Sequence, residues 1–283
     1  MNCFFKGLFS IIILLFIISS LIFIYSKYIE PFHITIENVK ISSSYITKEG
    51  KDIRILVFAD THFGEFYTTK DFCKAVDSIK KEKPDIVFFL GDLIDHYSQY
   101  TETTEVAEIS RLLNQIEAPY GKYAVFGNHD YGGGAEYIYE DIMKAGGFQV
   151  LVNESLLLED LGIKIFGIDD VVIGYGNPEI VEKGEEDLFN IVLSHAPDVA
   201  DRITDYPVDL ILSGHTHGRQ VNIKYFDDAI LPPYGKNYIR GLYSLKTKRE
   251  AQLYVNAGLG MTQLPFRFLS PPELTIFSFE DKN

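Results

Sequence analysis

The sequence predicts an α/β layered domain behind one N-terminal membrane helix, and three observations carry that expectation. From residue 53 onward, short apolar runs rich in β-branched and aromatic residues alternate with stretches of helical periodicity. Polar clusters follow directly on several of those runs. One uncharged apolar stretch stands apart at the N-terminus. The chain has 283 residues and is 46% hydrophobic, enough for one core of about 250 residues once that stretch is set aside.

Taken in order, Gly7 to Ser26 carries no charge, is dense in aliphatics and is flanked by Lys6 and Lys27. That is about the length needed to cross a bilayer. A cleaved signal peptide is the alternative, but no small-x-small site follows, and Cys3 lies before the apolar region, where a lipoprotein cleavage site does not fall. Residues 1–27 therefore read as a retained single-pass anchor and 28–52 as a tether leading into a first strand, His33 to Val39, and a turn at Glu49-Gly50-Lys51. The remainder, 53–283, reads as the folded domain. Lysines on both flanks leave the orientation almost balanced, with a slight tilt toward an extracytoplasmic domain.

Ile53 to Ala59 reads as a buried strand, Asp71 to Lys83 as a helix, Asp85 to Leu90 as a strand, Glu105 to Ile116 as a helix and Tyr123 to Phe126 as a strand. This alternation argues for parallel pairing. A helix near Ala135 to Ala145 follows, then strands at Leu156 to Leu158, Lys164 to Ile168, Ile191 to Leu193, Leu210 to Leu212, Gln252 to Asn256 and Leu274 to Phe279. Shorter connections in this half predict a second, more antiparallel sheet.

Composition narrows the function classes. A formal net charge of −14 argues against a nucleic-acid partner, which needs clustered Lys and Arg. Cys3 and Cys73 lie on opposite sides of the membrane-like segment and make poor disulfide partners.

The chemistry is concentrated in five clusters: Asp60-Thr61-His62, Gly91-Asp92, Gly127-Asn128-His129-Asp130, Ser194-His195 and Ser213-Gly214-His215-Thr216-His217-Gly218. A His-x-His pair alone reads equally well as a surface turn. Five of the seven histidines fall in these clusters, however, and every cluster lies just past the C-terminal end of an expected strand, where open α/β sheets gather their sites. His33 and His96 fall outside and read as exposed or locally bonded. Imidazole with carboxylate suits Mn, Zn, Fe or Co, and two ions held close together need a carboxylate that spans both. Asp92 is the natural bridge, with Gly91 allowing close backbone approach; a turn or helix-capping Asp is the alternative.

In this order and at these separations the clusters resemble the calcineurin-like metallophosphoesterases, and in particular their membrane-associated bacterial branch, which includes lipid A precursor pyrophosphatases. The resemblance covers residues 53 to 279. Leu193-Ser194-His195-Ala196-Pro197, Leu231-Pro232-Pro233-Tyr234-Gly235 and Gly258-Leu259-Gly260 with Arg267 and Pro272-Glu273 support it. It implies a four-layer α-β-β-α sandwich of two mixed sheets flanked by helices. It also implies two divalent ions, one held by Asp60, His62, Asp92 and His217 and the other by Asp92, Asn128, His195 and His215. His129 would stand over the phosphoryl group as a non-ligand, oriented by Asp130. Thr61 and Arg219 depart from the residues common in the family, and neither removes a ligand.

A metal-dependent phosphodiesterase or pyrophosphatase acting on a small or lipid-linked phosphate ester follows. A phosphomonoesterase with the same centre and a silent tethered binding module are the alternatives. The segment Lys224 to Arg249 carries Tyr225, Phe226, Tyr234, Tyr238 and Tyr243 with Lys236 and Arg240. It reads either as an amphiphile-binding loop or as a core-packing hairpin. Arg219, Lys236, Arg240 and Arg267 are the candidate substrate-binding cations.

Overall fold

A computed structural model describes residues 2–43, 45–47, 53–100, 105–223 and 231–280. The expected turn at 49–51 and the aromatic residues at 225 and 226 lie outside them. Helix α1, Asn2–Tyr28, is exposed along almost its whole length, and its apolar stretch is long enough to cross a membrane.

The domain is built on two six-stranded mixed sheets. The first has the order β1 (Thr35–Ser42), β12 (Glu273–Glu280), β2 (Ile55–Phe58), β3 (Ile86–Phe89), β4 (Lys122–Ala124), β5 (Gln149–Val150). The second runs β10 (Gly241–Ser244), β11 (Gln252–Val255), β9 (Leu210–Ser213), β8 (Phe189–Leu193), β7 (Ile163–Gly167), β6 (Glu154–Leu158). The late connections predict a more antiparallel second sheet, yet it is antiparallel only at its two edge pairings and parallel between.

The unbroken apolar runs of β2 and β3 follow from burial on both faces. Ile55 and Val57 of β2 point with Ile86 and Phe88 of β3 into an inter-sheet core shared with Ile163, Phe189, Ile191 and Leu210. Leu56, Phe58, Val87 and Phe89 point the other way, against the helices. Those helices are α2 (Thr69–Glu82), α4 (Val106–Asn114) and α6 (Tyr139–Ala145); two short ones, α3 (Tyr97–Tyr100) and α5 (Asn128–Gly132), lie in the connections. Helix α2 starts where Thr68 and Asp71 cap one another at 2.8 Å and stops at Lys83, left-handed at φ 48°, just before Pro84. It buries Phe72, Ala75, Val76 and Ile79, the face that its 3.6-residue period marks. The fourth layer departs from the expected helices: two proline-initiated 3₁₀ helices, Pro178–Lys183 and Pro197–Arg202, cover the second sheet.

Lys122 ties the helical layer to β4. Its Nζ donates to Leu113 O at 2.9 Å and to Gly146 O at 2.6 Å, the C-terminal carbonyls of α4 and α6. Lys122→Met keeps the aliphatic stem and leaves both acceptors buried. The loss in unfolding free energy is expected to be about 2 to 3 kcal/mol, read by chemical denaturation of the full chain in detergent micelles.

Candidate metal centre

All five clusters sit beyond the C-terminal ends of β2, β3, β4, β8 and β9, so two sheets aim their loops at one point. Contact between the sheets fixes that point. His195 Nδ1 lies 2.7 Å from Leu90 O, the backbone N of His215 donates to Asp60 at 3.1 Å, and the α-carbon of Gly214 packs against Ala59 and the Asp60 carboxylate with no room for a side chain.

Five candidate ligands hold left-handed backbone without being glycine: Asp60 (φ 51°), His62 (44°), Asp92 (57°), His215 (76°) and His217 (52°). Each such residue costs on the order of 1 kcal/mol or more, and strain gathered in this way marks a functional site. Two glycines make the crowding tolerable. A side chain on Gly91 would strike the backbone at Gly127, and one on Gly127 would strike the Asp92 carboxylate.

Two candidate ligand sets come together from buried side chains, with Asp95 and His129 forming a half-buried third group around His62. In the first, His62 Nε2 lies 3.0 Å from His217 Nε2, 3.4 Å from Asp92 Oδ2 and 3.9 Å from Asp60 Oδ1. In the second, His195 Nε2 lies 3.1 Å from Asp92 Oδ2 and 3.1 Å from His215 Nδ1. Asn128 Oδ1 is buried without a hydrogen-bond partner among the described residues. Asp92 belongs to both sets through one oxygen, because its Oδ1 accepts from the backbone N of His129 at 2.8 Å. Paired ring nitrogens facing each other, a carboxylate oxygen between two imidazole sets and an orphaned amide oxygen fit a pair of divalent cations.

The outer partners are also built. Asp95 accepts at Oδ1 from His62 Nδ1 at 3.0 Å and from Thr262 Oγ1 at 2.8 Å, and lies 3.3 Å from His129 Nδ1. His129 Nδ1 also reaches Asp95 O at 2.8 Å, leaving Nε2 as the atom free to act in the cavity. Expected to orient His129, Asp130 instead accepts from the backbone N of Asp92, Leu93 and Gly127, each at 2.9 Å. It clamps the strand ends, and Asp95 orients the ring. Asp95 is the site residue that sequence reasoning missed; its signal was a second carboxylate three residues after Asp92 in the same loop.

In the metal-free protein the charges follow from this geometry. Burial alone would lower the His129 pKa, but Asp92 and Asp95 outweigh it and hold it up at about 9. His195, desolvated but against Asp92 and Asp60, is likewise raised to about 10. Burial, reinforced by the charge of His195, pushes His215 down to about 3. Burial lowers His217 in the same way. It raises Asp60 to about 6, with His195 opposing.

Beside the sets opens a cavity of about 580 Å³ with His129 and Arg219 on its wall and Val221, Ile223, Leu231 and Leu264 as its apolar side. Of the cations expected at the substrate, Arg219 alone lines it. Lys236 is exposed elsewhere, where its backbone N bonds Asp198 at 3.0 Å. Arg240 spends its guanidinium on Glu273 at 2.8 Å. Arg267 is fully buried and donates to the carbonyls of Ala257, Gly260 and Ser270, so it scaffolds the loop behind His217. His33 is exposed and His96 bonds Ser98 locally at 3.1 Å.

The two mixed sheets and the paired ligand sets define a hydrolase of phosphoesters whose centre fits two divalent ions. The calcineurin-like phosphoesterase family model matches residues 53–219, and the chain belongs to that family. It is 40% identical over 265 residues to the metallophosphoesterase YkuE of Bacillus subtilis, covering 92% of this chain and 90% of that one. Phosphodiesterase YaeI of Escherichia coli is 27% identical over 89% of this chain and 90% of its own length. The UDP-2,3-diacylglucosamine pyrophosphatase LpxG of Chlamydia trachomatis is 27% identical over 90% and 92%. Some relatives are longer: this chain spans 60% of one from Campylobacter jejuni.

The two aspartates separate under mutation. Asp130→Ala, which strands three buried backbone donors, is expected to cost about 3 kcal/mol of unfolding free energy. Asp95→Asn is expected to cost roughly 10- to 100-fold in turnover, with a smaller loss of stability and a fall in the His129 pKa read by NMR titration of the metal-free protein.

Proposed function

We propose that the chain hydrolyses a phosphodiester or pyrophosphate bond in a lipid-linked substrate at a membrane surface. The observation that carries this reading is the union of one shared oxygen, Asp92 Oδ2, between two imidazole sets with a cavity whose far side is apolar. A monoester needs only a phosphate site, whereas the apolar wall gives a second ester arm a place to lie. The names of the Escherichia coli and Chlamydia trachomatis relatives, a phosphodiesterase and a lipid-nucleotide pyrophosphatase, support the same class.

In this reading Asp60, His62, Asp92 and His217 hold one ion and Asp92, Asn128, His195 and His215 the other. The donors suit Mn, Zn or Fe. When bound, such a pair supplies positive charge to phosphoryl oxygens and acidity to a water molecule. His129, held at Nδ1 by Asp95, gives an Nε2 proton to the leaving oxygen. Asp95 holds the ring so that only Nε2 faces the cavity. Arg219 meets the remaining negative charge of the substrate at the mouth.

Residues 1–27 serve as the anchor, 28–52 as the connection and 53–283 as the metallophosphoesterase domain. A substrate held in the same membrane meets the site at high effective concentration.

The test uses the full chain in detergent micelles, chelated and then supplied with Mn, Zn, Fe or Mg. Bis-p-nitrophenyl phosphate is expected to be cleaved faster than p-nitrophenyl phosphate with Mn, Zn or Fe. Asp92→Asn should abolish turnover, and His129→Ala should lower it by about 10²- to 10⁴-fold. A monoester preference would replace this reading with a phosphatase; metal binding without turnover of either ester would replace it with a silent module.

A further inference from the structure

The end of α1 is gripped by residues 266–270, the segment that continues from the cavity-lining Thr262, Gln263 and Leu264. Arg267 N donates to Ser26 O at 2.9 Å. The Glu30 carboxylate, only 1% exposed, accepts from Ser270 N at 2.6 Å. Phe23 meets Phe266 with ring centroids 5.3 Å apart, and Lys27 Nζ lies 5.9 Å from the same Phe266 ring.

The gripped segment pairs with residues 220–222 through a single bridge, Val221 to Phe268, forming a short ribbon of loop. Gln220 Nε2 donates to Thr262 O at 3.0 Å and Leu264 O at 2.9 Å; Asn222 N bonds Phe268 O and Phe268 N bonds Gln220 O. The other side of the ribbon begins two residues after His217. Val221, Ile223 and Leu264 turn this ribbon into the apolar wall of the cavity.

The ribbon and the end of α1 also present apolar side chains to the outside: Ile223 (44% exposed), Leu264 (54%) and Leu269 (59%), with Tyr28 (59%) and Ile29 (53%). Large apolar side chains gathered on one lip, rather than scattered singly, mark an interaction surface. Basic side chains accompany it, Lys27 beneath and Arg219 at the mouth, the arrangement in which cations reach lipid phosphates over apolar stems.

We infer that the ribbon of residues 219–223 and 262–269 lies in the headgroup–acyl boundary of the bilayer that α1 crosses, so that the cavity opens onto the membrane surface and receives a lipid phosphate group from the membrane plane. The occupant of this surface is the bilayer, because α1 is docked to the ribbon by hydrogen bonds and ring contacts rather than joined to it by a loose tether. This inference rests on the anchor reading of α1, and its test does not pass through catalysis.

The chain contains no tryptophan, so one introduced residue reports alone. Full-length Leu264→Trp and Leu269→Trp, at exposed positions, are placed in vesicles of brominated phosphatidylcholine. Phe16→Trp reports the span, and Tyr120→Trp reports the loop just before β4, at the end of the strands opposite the site. Roughly two-fold or greater quenching with blue-shifted emission is expected at positions 264 and 269, as at 16, with none at 120. Quenching at 16 with 264 and 269 behaving like 120 overturns the placement of the ribbon alone. No quenching at 16 overturns the anchor reading and the inference together.

Discussion

The carboxylate of Asp92 is the point on which the rest of this structure depends. One oxygen is taken by the backbone N of His129, and the other stands between His62 and His195. A buried carboxylate needs compensating charge or donors. Burial pushes its pKa up, and the surrounding imidazoles more than reverse this, holding it well below the usual carboxylate range. The sheets meet where they do because His195 comes from one and Asp92 from the other. The inter-sheet core therefore closes around a charge it must satisfy.

That constraint explains the local backbone. Candidate ligands drawn from five strand ends must converge within a few ångströms, and an ordinary extended exit from a strand carries the side chain past the point. A left-handed residue at Asp60, Asp92 and His215 turns the chain back at once. Gly91 and Gly127 remove the side chains that would block the turn, and Asp130 satisfies the donors that the turn exposes. The strain is distributed over a rigid framework of buried strands.

Much of this is legible in the sequence. The runs at Ile53 to Ala59 and Asp85 to Leu90 became β2 and β3 because strands buried on both faces carry apolar residues without alternation. The clusters marked strand ends because a histidine or aspartate directly after such a run has no solvent to face. Less was legible where partners are distant in sequence. The strand β10 hides in an aromatic segment and exists because it pairs with β11. Charge alone nominated Arg240 and Arg267 as substrate contacts, yet each meets a tertiary demand, a buried carboxylate in one case and three loop carbonyls in the other. Residue type shows that a cation is present; only the fold shows what it neutralises.

The buried Arg267 also separates two parts of the site. The candidate ligands stand on strand ends and would keep their places whatever borders the cavity. The apolar wall has no strand beneath it: the ribbon is held by Gln220 on one side and by α1 on the other. Burying a guanidinium is costly unless its donors are used, and burial lowers its pKa to about 10. Its acceptors, Ala257, Gly260 and Ser270, stitch the loop under His217, and its own backbone reaches Ser26 in α1. The wall can therefore be reshaped without moving the candidate ligands, and α1 contributes to its geometry.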